Sequence, residues 1–131
     1  MRSEVLDYIK GLNLGSFSVS DEMPRSESGT PLHLRNPKMI YVNSTEYDEQ
    51  PLISTLNGGC DIHTYTQTVT ALFSCDAKNV PNNYDTLVGS LISAKNINTT
   101  AGYNSREATV TTSSENDLLV TSIEYAFVKI R

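Results

Sequence analysis

Cys60, Asp61, His63 and Cys75, the residues best suited to chemistry, crowd into GGCDIHTYTQTVTALFSCDAKNVP, residues 58–81. Such side chains hold zinc, close a disulfide, or pair a thiolate nucleophile with a base. Their spacing argues against each use. Residues 62–75 read as one strand, and a rise of about 3.3 Å per residue then sets Cys60 and Cys75 roughly 40–50 Å apart. A disulfide needs Cα atoms within about 7 Å, and one metal ion needs its ligands closer still. Neither Gly nor Pro lies inside the strand to bend it. What remains is Cys60, Asp61 and His63, one ligand short of the four a structural zinc normally takes, with His33 the sole other histidine. A strand also puts Cys60 and His63 on opposite faces, which spoils a thiol–imidazole pair. The plainer expectation makes His63 a partly exposed strand residue and Cys75 a small core residue. The chain has no phosphate loop, dinucleotide fingerprint or GxSxG elbow. The expectation is a protein that is not an enzyme and carries no cofactor or metal; a small metal-dependent hydrolase built on Cys60, Asp61 and His63 is the alternative of a different class.

The elements that would position these residues follow from periodicity. SEVLDYIKGL sets Val5, Leu6, Ile9 and Leu12 on one helical face, with Ser3 as its cap and Gly11 and Gly15 at its end. SFSVS (16–20) alternates weakly as a strand. DEMPRSESGTPLHLRNP (21–37) is a long polar loop, and loops of that length inside a small domain are functional or disordered. MIYVN (39–43) reads as a short buried strand, closed off by an acidic loop at 45–51. In LISTLNGGCDIH (52–63) the Asn57-Gly58 pair favours a type I′ hairpin turn. From Tyr65 the odd positions run Tyr, Gln, Val, Ala, Phe, Cys, while Thr64, Thr66, Thr68 and Thr70 form a ladder on the other face. The period then lengthens to 3.6: Tyr84, Leu87, Val88, Leu91 and Ile92 make one stripe of an amphipathic helix over about 81–96, starting at or just after Pro81. REATVTT (106–112) is a further strand, and SEND (114–117) turns the chain into a last strand that is apolar on both faces. Such a strand is usually central or covered by a partner.

The sum is an α+β chain, mainly antiparallel sheet packed by a short N-terminal helix and one longer helix, in a single domain spanning 1–131. With 38% hydrophobic and 19% charged residues the composition is that of a folded domain, and no apolar run is long enough to span a bilayer. The start of the chain interrupts its apolar residues with Glu4, Asp7 and Lys10, so no secretory leader is expected and the sequons at Asn43 and Asn98 read as chance. A net charge of -5 without any basic run argues against gripping phosphate backbones.

Three segments together resemble the tail terminator (tail completion) proteins of long-tailed bacteriophages. They are QTVTALFSCDAKNVPNNYDTLVGSLISAKN (67–96), a strand running into a helix start; TVTTSSENDLLVTSIEYAFVKIR (109–131), a closing hairpin; and the opening helix MRSEVLDYIKGL. The resemblance covers most of the chain except the 21–37 loop, and it rests on patterns rather than catalytic signatures. It implies a subunit that assembles with itself into a sixfold ring on the tail tube, ends tube polymerisation and presents a surface to the head-tail connector. Its partners would be the tail tube protein and the connector protein, with DNA only in passage and no membrane, placing it in the virion after assembly in the host cytoplasm. Contacts of such a ring are expected from Arg25, Glu27, His33 and Arg35 in the polar loop and from Thr64, Thr66, Thr68 and Thr70. Glu46, Asp48 and Glu49 would line an acidic lumen that repels DNA. Another neck or connector subunit is the nearest alternative, and a monomeric binding module a further one.

Overall fold

The computed structural model describes residues 2–21, 34, 36–53, 62–97, 100 and 102–130, with backbone alone at 44–53 and 62. Helix α1, Arg2–Lys10, buries Val5, Leu6 and Ile9 along one stripe. It starts one residue before Ser3, which therefore lies inside the first turn and is not the cap the sequence suggests. Arg2 ties that end down instead: its guanidinium donates to the carbonyl of Val42 at 2.7 Å and to that of Asp21 at 2.9 Å. The first-turn carboxyl of Glu4 is held below its ordinary range, first by a backbone N–H and then by the amino terminus. Past the helix, Gly15 takes φ +61, and an added Cβ would run into Asn83 Nδ2.

Five strands form one sheet in the order β1-β2-β3-β5-β4. Strand β1, Ser18–Val19, lies parallel to the start of β2, Met39–Ile53. Strand β2 is antiparallel to β3, Ile62–Asp76, from Tyr41↔Leu72 out to Ile53↔Ile62. The acidic stretch therefore belongs to a strand, which corrects the loop expected at 45–51: Glu46, Asp48 and Glu49 sit opposite Thr68, Thr66 and Tyr65. An outer strand tolerates charge and even Pro51, because one side of its backbone needs no partner. Register shifts at Ser44/Glu46 and Pro51/Ile53 break the alternation that would have marked it as a strand. The β2–β3 hairpin stands, while its turn, including Asn57-Gly58, lies outside the described residues.

After β3 the chain crosses over through helix α2, Tyr84–Ile92, and a 3-10 turn, Ser93–Asn96. Pro81 and the two asparagines form a turn closed by Tyr84 N–H to Pro81 O, which is why α2 starts three residues later than Pro81. Strands β4, Ser105–Glu115, and β5, Leu118–Ile130, make a tight hairpin in which Asn116 and Asp117 both take positive φ, 52° and 63°. That is a type I′ arrangement, and Asn and Asp tolerate it better than other side-chain-bearing residues. Strand β5 inserts between β3 and β4, antiparallel to both. The fold is α+β, a mixed but mainly antiparallel sheet with two helices.

Both helices pack on one face. Val5, Leu6 and Ile9 of α1 and Leu87 and Leu91 of α2 share a single buried cluster with Val69, Ala71, Phe73 and Cys75 of β3 and Ile123, Tyr125 and Phe127 of β5. Phe17 meets Phe73 edge to face at 5.4 Å between ring centres. Tyrosine hydroxyls pin the layers. Tyr125 donates to the carbonyl of Leu91 at 2.5 Å, Tyr84 bonds Thr121 Oγ1 at 2.6 Å, and Tyr8 bonds Ser93 Oγ at 2.7 Å. Burial, with a smaller push from Tyr8, raises the Tyr125 phenol well above its ordinary range.

Two outcomes follow. Gly15→Ala should lower stability by about 1–2 kcal/mol in denaturant melts, since the substitution is strained in φ and displaces Asn83 from the carbonyl of Leu14. Tyr125 keeps its proton in the fold at pH values where an exposed tyrosine loses it. Its contribution is complete below the ordinary tyrosine range near pH 10 and is lost as pH rises through that range toward the folded value. Between about pH 8 and about pH 11, wild type should therefore lose more stability than Tyr125→Phe; equal losses would refute the account.

Candidate interaction surface

The face of the sheet opposite α1 and α2 carries the threonine ladder. Thr64, Thr66, Thr68 and Thr70 lie opposite Ile130, Val128, Ala126 and Glu124 of β5, and the last three of these lie opposite Ser105, Glu107 and Thr109 of β4. All four threonines are half-buried, whereas Val69 and Ala71, on either side of Thr70, are fully buried on the helix face. The difference follows from strand alternation: the same backbone turns one set to the helices and leaves the other to its sheet neighbours. Toward the other end of this face Tyr41, Ser74 and Val120 are buried outside the main core cluster. Among the described residues, no helix packs over the ladder.

Strand β5 shows its two-faced character directly. Ile123, Tyr125 and Phe127 are fully buried, while Ala126 and Val128 are half-buried and Ile130 is 43% exposed. Beside it, β4 is open along its length: apart from Ser105 and Ala108, its residues are exposed, Val110 included.

At the end of the sheet beyond the helices, a group of aromatic and basic side chains gathers. Lys129 Nζ stands 5.6 Å over the Tyr103 ring, Tyr103 meets Phe127 at 6.0 Å, and His63 lies 6.2 Å from Tyr65. Tyr65 is opposite Lys129, and exposed Arg106 is opposite Phe127. None of Tyr103, Arg106 or Lys129 was singled out by type or spacing, because β5, last in the chain, is what brings them together.

The candidate chemistry looks different once placed. Cys75 is a free, fully buried thiol in the core, and burial, followed by the charge of Asp76, pushes its pKa up. A raised pKa suppresses the thiolate needed for nucleophilic work. The ladder from Thr64↔Ile130 to Asp76↔Leu118 has no register shift, so the strand between His63 and Cys75 is unbroken, and twelve residues separate them by about 40 Å. Cys60 and Asp61 lie outside the described residues, as do the loop contacts expected from Arg25, Glu27, His33 and Arg35. Among the described residues no group of three or more His, Cys, Asp and Glu could hold a metal ion. For the sequon at Asn98, the Thr100 hydroxyl is buried and bonded to the carbonyls of Lys95 and Ile97. Also among the described residues, no helix is long and apolar enough to cross a membrane.

Set against known proteins, the chain matches no family model and no curated protein.

The metal reading can be tested directly. Titrating the full chain with zinc, followed by calorimetry and by the NMR signals of His63, should give neither stoichiometric uptake nor a His63 shift. Tight one-to-one binding with His63 perturbed would revive the hydrolase.

Proposed function

We propose that the chain is a structural subunit that assembles into a ring, of the kind that caps a phage tail tube, ends its polymerisation and offers a surface for head joining. One observation carries this reading: among the described residues, the sheet presents more surface than α1 and α2 cover. Two nine-residue helices serve strands of up to fifteen residues, and both pack on the same face. The surplus includes the half-buried apolar residues of β5, the threonine ladder and an open outer strand. Rotational assembly removes such surplus from water without any one copy needing a second helical layer. The opening helix, the strand-to-helix passage and the closing hairpin that carry the resemblance to tail terminators also agree with the elements of the fold.

In this reading no step of covalent chemistry is needed. The polar ladder suits contacts that must form and remain soluble before the tube arrives. Acidic residues on β2 repel DNA wherever the ring turns them toward the channel.

Light scattering of the purified chain across concentration tests the proposal. A mass near six times that of the 14.4 kDa chain, present at once or reached as concentration rises, is the expected result. A single-chain mass at every concentration, with purified tail tubes present as well as without them, would overturn it. Infection with a phage lacking the subunit then separates two assembly roles, since loss of a terminator gives overlong tubes, whereas loss of a connector gives normal tails that fail to join heads.

A further inference from the structure

The long outer strands of the sheet run in opposite directions. Strands β2, β3, β5 and β4 lie side by side, and each neighbouring pair is antiparallel. An even number of strands has a geometric consequence. A second copy brought edge to edge by a rotation presents its β2 to the first copy's β4 running the opposite way, so the ladder continues in its own antiparallel sense.

Among the described residues, both edges are open for this. Strand β1 pairs β2 only at Met39 and Ile40, and no described strand pairs the outer side of β4. Soluble proteins usually blunt such an edge with proline, lysine, a bulge or a covering segment. Strand β4 has neither proline nor lysine, keeps an unshifted register with β5, and runs uncharged and exposed from Thr109 to Ser114.

The edges also differ in charge at the same level of the sheet. Across one row Glu49 is opposite Tyr65, and Tyr65 is opposite Lys129; across the next, Tyr47, Gln67, Phe127 and Arg106 follow one another. On one face the β2 edge carries Glu49, while the other side of the sheet offers exposed Arg106 with Lys129 one strand in; Glu46 and Asp48 lie in the rows of Thr68 and Thr66, on the other face. Glu107 lies in the row of Glu46, so the opposite charges meet on the face of Arg106, Lys129 and Glu49 alone. A twofold pairing of two β4 strands would leave both acidic edges without a complement.

Resting on the ring reading, we infer that β4 of each copy pairs with β2 of the next, making one antiparallel sheet that runs continuously around the ring. The partner at each edge is a second copy of this chain, joined mainly by backbone hydrogen bonds, with Arg106 and Lys129 on the face that carries the neighbour's Glu49.

Full-length chains carrying Cys60→Ser supply the test, with buried Cys75 left in place. Thr109→Cys or Thr111→Cys in one preparation is mixed with Asp48→Cys or Gln50→Cys in another and oxidised. Disulfide-linked pairs should form in at least one mixture and not in either β4 variant alone. Val110→Lys, at an exposed position, should reduce the scattering mass to a single chain while the far-ultraviolet circular dichroism stays unchanged. Crosslinking of a β4 variant with itself would overturn the proposal in favour of twofold pairing. A ring-sized mass that survives Val110→Lys with no mixed disulfide would overturn the edge contact and leave the ring. A single-chain mass for wild type would remove the ring and the edge contact together.

Discussion

A mismatch of lengths governs this fold. A nine-residue helix is about 14 Å long, while a fifteen-residue strand reaches about 50 Å. With both helices on one face, the core is confined to the stretch where Val69, Ala71, Phe73 and Cys75 meet Ile123, Tyr125 and Phe127. Beyond that stretch the sheet must be stable as backbone ladder and half-buried side chains. The strands there are accordingly rich in threonine and tyrosine, which suit a pleated, partly covered surface.

Within the covered stretch, polar contacts fix how the layers sit. Ser93 Oγ donates to the carbonyl of Ser90, so the bond between Tyr8 and Ser93 is donated by the tyrosine. Tyr8 thus joins α1 to the turn after α2, Tyr84 joins α2 to β5 through Thr121, and Tyr125 joins β5 back to α2 through the Leu91 carbonyl. Apolar packing alone permits small sliding motions; three directional bonds, each from a ring that also fills core volume, restrict them.

Much of this was legible from the residues. The alternation in β3 and the 3.6 period of α2 are long enough to declare themselves, and the closing hairpin announced its turn through Asn116 and Asp117. Strand β2 was not legible between Asn43 and Leu52, because its acids and Pro51 are tolerated only on account of its outer position, and position in a sheet is set by partners distant in sequence. The strand order is hidden for the same reason. Strand β5 comes last yet lies between β3 and β4, so the exposure of β4 and the meeting of Tyr103, Lys129 and Tyr65 depend on a crossover that no local pattern encodes. The chemistry suggested by Cys60, Asp61, His63 and Cys75 dissolved at its Cys75 end once one unbroken strand held that thiol far from His63.

The buried thiol has a practical use that its chemistry does not suggest. Cys75 pairs with Leu119 in the ladder and is sealed beneath the helices. A labelling reagent reaches it only when the sheet and its helical cover part, and the raised pKa slows any reaction in the closed state further. With Cys60 replaced, the rate of thiol modification becomes a clock for opening of the core. The same clock read before and after assembly would register how far neighbouring copies hold the sheet shut.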